Sequence, residues 1–125
     1  MRAYFVSKGT RIEALRATHE LASYSDRRLQ KLLPYFDEVL LPAGRVVARE
    51  GERCSEFVVV INGRLEAKTG CNGTRTLRAG DTIGWNAMWE RLPNDATVFV
   101  DADANLLVMS HAQFRAVKAV SEPPE

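Results

Sequence analysis

The sequence predicts a mainly β protein: an antiparallel β-roll or jelly roll, a double-stranded β-helix, with helices at its N-terminus and one helix at its C-terminus. Three observations lead there. After Asp37 the chain breaks into short apolar runs closed by turn residues, such as "EVLL" then "PAG" and "EFVVVI" then "NG". These runs recur at roughly 8–12-residue spacing, which is the rhythm of a sandwich, roll or barrel. The segments on either side carry helix-start chemistry instead of alternation. The reading is one domain over 1–125, with a helical N-terminal region (1–36), a β-roll (37–109), a C-terminal helix (110–120) and a tail (121–125).

The helical region opens at "TRIE", a capping-box pattern with Thr10 as the side-chain acceptor and Glu13 reaching back. Ile12, Leu15 and either His19 or Leu21 then share a face. A second helix is expected in "YSDRRLQKLLPYF". Ser25 suits the N-cap, Asp26 suits the positive helix start, and Leu29, Leu32 and Leu33 form the apolar stripe. Pro34 ends or kinks it. Arg27, Arg28 and Lys31 read as a solvated face.

The β-roll is expected to hold about seven or eight strands. Asn62-Gly63 and Asn72-Gly73 are tight-turn signals, because both residue types tolerate positive φ. Phe57, Val59 and Ile61 fall on one face of a central strand. The run "FVVVI" is apolar on both faces, so that strand is covered on both sides. "ATVFV" and "LLVMS" read as strands, and the acids of "DADAN" as an exposed loop between them. In "SHAQFRAVKAV", Ser110 and Gln113 form another capping box, with Phe114, Val117 and Val120 inward.

Composition excludes several function classes. A net charge of +1 from 17 basic and 16 acidic residues, polarised in neither half, demands no clustered basic face of the kind nucleic-acid binders carry. No apolar run approaches the roughly 18–20 residues of a membrane span, and the N-terminus lacks a signal-peptide core. A cytoplasmic protein is expected, with Cys54 and Cys71 as free thiols. His19 and His111 are too few for a metal site on the roll, so no metal is expected. Ser110-His111 lacks an oriented third member, so no enzyme activity is expected.

In order along the chain, "LPAGRVVAREGE", "FVVVINGRLEA", "LRAGDTIG" and "PNDATV" resemble the cyclic-nucleotide-binding domain family, as in catabolite-activator and anaerobic-regulator proteins, kinase A regulatory subunits and gated channels. The resemblance covers about residues 20–120. It implies a cassette in which helix-start N–H groups cradle the cyclic phosphate. In the family a glutamate directly after the cassette glycine takes the ribose hydroxyl, and an arginine after the proline pairs with the phosphate. Carried over position by position, the glycine is Gly84, the glutamate slot is Trp85, Asn86 follows, and the small helix residue is Ala87, next to Met88. The arginine slot is Asn94, followed by Asp95, and the Ala-Thr pair is Ala96 and Thr97.

Both charged contacts are therefore absent. An indole offers one N–H donor and no acceptor, and an inward Trp85 would fill part of the ligand's volume. Asn94 carries no charge, and Asp95 adds a negative one. The combined deficit is about 4–7 kcal/mol, about a thousandfold to a hundred-thousandfold in affinity. Arg91, three residues before Asn94, and Arg78, before the cassette, are the candidate substitute phosphate contacts. Trp85, Met88 and Trp89 share one helical face, which either plugs the roll or binds a partner.

The expectation is a non-enzymatic regulatory or structural subunit that uses no cofactor, acts through contact with another protein chain and does not bind cyclic AMP or cyclic GMP physiologically. The alternatives are a cyclic-nucleotide sensor with a rearranged pocket, and a carrier of a small apolar ligand. Only a short segment follows Met109, ending in "EPPE", so no direct DNA binding is expected.

Overall fold

The computed structural model describes residues 5–70 and 73–120, the last three by backbone alone. The order is α1 (Lys8–Arg16), α2 (Asp26–Leu32), a 3-10 turn (Leu33–Tyr35), β1 (Asp37–Leu41), β2 (Val46–Ala48), β3 (Glu56–Thr69), β4 (Gly73–Leu77), β5 (Thr82–Ile83), α3 (Trp85–Glu90), β6 (Thr97–Ser110) and α4 (His111–Val120). The fold is mainly antiparallel β with helices at both ends, as the strand grammar indicated.

The start of α1 differs from the sequence reading. Ser7, not Thr10, is its N-cap and accepts a hydrogen bond from the Thr10 amide. Glu13 does not reach back; it pairs with Arg16, which also holds Asp26. Ser25 caps α2 through the Arg28 amide, as the sequence indicated. Pro34 sits in the 3-10 turn that ends the helical stretch, consistent with its missing N–H.

Two long strands form the spine. The path runs β1-β6-β3-β4, with β2 on β6 and β5 on β3. Each of β3 and β6 spans 14 residues, so the described residues form six strands, fewer than the turn signals suggested. Asn62-Gly63 is a bulge inside β3, not a hairpin: the register against β6 shifts on both sides of Asn62. Gly63 adopts φ 92°, and a Cβ there would lie 2.4 Å from the Asp103 carbonyl oxygen. A positive φ without a side chain lets β3 bend against β6 where two residues oppose one. "DADAN" is likewise strand, not loop. Asp101 pairs with Arg64 across the strands, and Asp103 accepts from the Ala43 amide. Gly73 does pair with Thr69 at the start of β4, while Asn72 and Cys71 lie outside the described residues.

The alternation within β3 divides the interior in two. Phe57, Val59 and Ile61 face a cluster with Leu15, Leu29, Phe36, Met109 and Phe114, between the sheet and the helices. Val58 and Val60 face the roll's own interior with Leu65, Leu77, Val98 and Leu106. Each such buried side chain contributes about 1.5–3 kcal/mol, so β3 anchors both layers at once. The Ser110–Gln113 capping box forms in both directions at the start of α4. Phe114 is buried and Val117 packs on the helical cluster, whereas the side chain of Val120 lies outside the described residues.

Candidate functional site

The cassette frame is built by backbone. Gly84 precedes α3 at φ 94° and is pressed against β3: a Cβ there would sit 2.3 Å from the Glu56 carbonyl oxygen and 3.1 Å from Cys54 Sγ. Only glycine meets both requirements. The Met88 amide donates to the Gly84 carbonyl, and the Leu92 amide donates to Ala87, closing the turn. Beyond it, the Asn94 amide donates to Glu52 and the Gly51 amide donates to Asn94, tying the strand start to the Glu50–Glu52 turn. Ala96 is buried in the roll, and Thr97 Oγ1 accepts from the Glu50 amide.

This frame borders a cavity of about 420 Å³. Ala67, Leu77, Ile83 and Val98 form its apolar floor, and Gly84, Asn86, Ala87, Asn94, Asp95 and Ala96 lie along the cassette side. Its charged lining is Glu20, Glu90 and Asp95 against Arg75. Asn94 Nδ2 donates to the Arg49 carbonyl oxygen at 2.9 Å, so the amide in the arginine slot serves the loop. Glu20 Oε2 accepts from Thr82 at 2.8 Å, while its buried Oε1 finds no donor among the described residues.

Trp85 does not plug this cavity with its ring. The indole packs edge-on against Phe57 (4.9 Å between centroids) and near Trp89 and Phe114, in the helical cluster. The reason is apolar: the aromatic neighbours on that side half-bury the ring, and the roll side of α3 is left chiefly to Asn86 and Glu90. Trp85, Met88 and Trp89 do share one face of α3, but it packs on the helical cluster and not on the roll's interior. Met88 is buried in the core; Trp89 remains 38% exposed while stacking on Phe114 at 5.1 Å.

Arg91, offered as a substitute phosphate contact, does not line this cavity. It caps α3 in the left-handed region (φ 57°, ψ 44°) and lines a separate cavity with Arg53, His111 and Arg115. The cation that reaches the cassette cavity is Arg75, which sequence reading missed. Its signal was available: Arg75 and Leu77 stand two apart on β4, and Leu77 is core, so both face one side. Glu20 comes from the α1–α2 connection, 62 residues away from Thr82, and no local pattern could place it.

Two groups beside the cassette titrate unusually. Burial pushes the Cys54 thiol up, against a hydrogen bond to Glu56 backbone that works the other way; Glu56 and Asp95 add a smaller push up. Burial alone pushes the Glu56 carboxyl up. Among the described residues no cluster of three or more His, Cys, Asp or Glu side chains could hold a metal. None of the described helices is long and apolar enough to cross a membrane.

Comparison with known proteins agrees with this geometry. The model of the family described as the cyclic nucleotide-binding domain matches residues 38–120, more than half of the chain. The regulatory domain of Toxoplasma gondii PKA, solved with cAMP, is 22% identical, with a TM-score of 0.77 over 96% of this chain and 49% of that one. A cyclic nucleotide-binding-like protein from Brucella abortus is 21% identical, with a TM-score of 0.71 over 87% and 97%. The Thermus thermophilus catabolite activator protein is 20% identical, with a TM-score of 0.67 over 79% and 49%. This chain thus spans about half the length of the first and third of these. At such identities the superpositions speak for the fold, and the family match speaks for descent. The chain belongs to the cyclic nucleotide-binding domain family.

Proposed function

We propose that the chain is a non-enzymatic regulatory or structural subunit that acts through protein contact in the cytoplasm and does not bind cyclic AMP or cyclic GMP at physiological concentrations. One observation carries the reading. The cassette cavity sets three carboxylates, Glu20, Glu90 and Asp95, against the single guanidinium of Arg75, and the Asn94 amide is engaged with Arg49. An anionic cyclic phosphate would enter a net negative site, where like charges disfavour it. The exposed faces of Trp89 and Leu92 beside the cassette supply the kind of apolar surface that partner contacts use.

A thermal-shift measurement with 1 mM cyclic AMP or cyclic GMP tests it. A site with a Kd near 10 µM would stabilise the protein by about 2.7 kcal/mol, a rise of at least about 5 °C. No rise is expected.

A second reading, a sensor with a rearranged pocket, is favoured by the open cavity and by Arg75 within it. It requires that any cyclic-nucleotide stabilisation vanish in Arg75→Ala. The apolar-carrier alternative has less support, because seven polar or charged residues line the same cavity: Glu20, Arg75, Thr82, Asn86, Glu90, Asn94 and Asp95.

A further inference from the structure

The second cavity, of about 420 Å³, lies on the other side of α3 from the cassette cavity. Its lining includes Arg53, Arg91, Arg115 and His111. No carboxylate among the described residues lines it. The neighbouring acids face other cavities: Glu90 and Asp95 line the cassette side, and Glu56 lines a small pocket against β2. None of the three arginines forms an ion pair with a described residue; the described ion pairs involve Arg16 and Arg64. His111 and Arg115 stand four apart on α4 and so share one face.

Arg91 adds an independent sign. It is the one non-glycine residue with positive φ among the described residues. The left-handed conformation costs an ordinary side chain about 1–2 kcal/mol, and glycine or asparagine would fill this helix end with less strain. A strained position that keeps a long cation at the edge of a cavity points to a use for the cation.

From these observations we infer that the cavity between α3, the Arg53–Ser55 segment and α4 binds a small organic phosphate. The guanidinium groups of Arg53, Arg91 and Arg115 hold the phosphoryl oxygens. Guanidinium forks suit phosphate oxygens in charge-assisted pairs. The helix start at His111 adds partial positive charge on the same side. The organic body lies against Ala87, Met88 and Leu92, the last of which is 48% exposed. The inference is independent of what the cassette cavity binds.

Calorimetry with phenyl phosphate and with inorganic phosphate, in about 0.15 M salt so that diffuse attraction is screened, tests it. Phenyl phosphate is expected to saturate below about 1 mM, within the range of weak specific ligands, and several-fold more tightly than inorganic phosphate. Arg53→Ala and Arg115→Ala are each expected to weaken binding about tenfold or more, the loss of one charge-assisted hydrogen bond. Arg91→Gly is expected to weaken binding while thermal stability stays equal or rises, which separates binding from folding. Absence of saturation with either compound overturns the proposal. So does binding that survives all three substitutions, or that is lost in Arg75→Ala alone, which would place the anion in the cassette cavity. Equal affinity for the two compounds refutes the role given to Leu92 and its apolar neighbours.

Discussion

The Trp85 indole meets the Phe57 ring edge-on, with centroids 4.9 Å apart and planes at 61°. Trp85, at the position that the resemblance matches to the family's sugar-gripping glutamate, is part of the seam between the sheet and the helices. Phe57 is fully buried, and Phe36 and Phe114 extend the same seam. Removing the indole leaves a void among aromatic neighbours. Trp85→Ala is expected to lower stability by about 3–5 kcal/mol, read by urea unfolding. Trp85→Glu is expected to cost at least as much, since a carboxylate would face the rings unpaired. A stability equal to wild type in either variant would place the indole elsewhere.

Gly63 gives a purely steric prediction. A methyl group there meets Asp103 and Ala104 backbone at 2.4–2.5 Å and sits on a positive φ. Gly63→Ala should cost about 2–5 kcal/mol, the sum of left-handed strain and overpacking. Gly44→Ala, also at positive φ but with open space around it, should cost only the strain, about 1–2 kcal/mol. Chemical denaturation of the pair separates the two terms.

Glu56 makes stability depend on pH in an unusual direction. Burial raises its folded-state pKa, so the native state holds this proton more tightly than the unfolded chain does. Its contribution to stability is therefore full at low pH. It falls as pH rises from the ordinary carboxylate range through the raised value. In Glu56→Gln that fall disappears. Melting temperatures at pH 4 to 7.5 should show the variant gaining on wild type as pH rises. A constant difference across the range would refute it.

Cys54 is buried, and its thiol is held up chiefly by that burial. In a Cys71→Ser background, alkylation of native protein near pH 7.5 should run at least about tenfold slower than in denaturant, because thiolate is both scarcer and shielded. Equal rates would mean that the Cys54–Gly84 contact opens readily.

Much of the fold was legible in local chemistry. The both-faces-apolar run in β3, the Ser25 cap and the Ser110–Gln113 box are all short-range signals, and each is found in place. Two of the errors share one cause. Asn62-Gly63 and "DADAN" look like turns because turn residues and bulge residues are chemically alike, and only the partner strand decides between them. The need for glycine at 84 and a small residue at 96 was legible for the same reason as the caps, since both answer to backbone geometry and close packing. The cavity's charge was not. Arg75, Glu20 and Glu90 arrive from β4, the helical connection and α3, and their meeting depends on tertiary packing that no window of sequence contains.

The most direct measurement is a calorimetric titration with cyclic AMP to 1 mM of the wild type beside Asn94→Arg, which returns a guanidinium to the slot now occupied by an amide bound to Arg49. The expected result is no saturation in the wild type and measurable binding in the variant, since a buried phosphate–arginine pair is worth about 2–5 kcal/mol. Saturable micromolar binding by the wild type would contradict the claim that this cassette has kept its shape and lost its ligand.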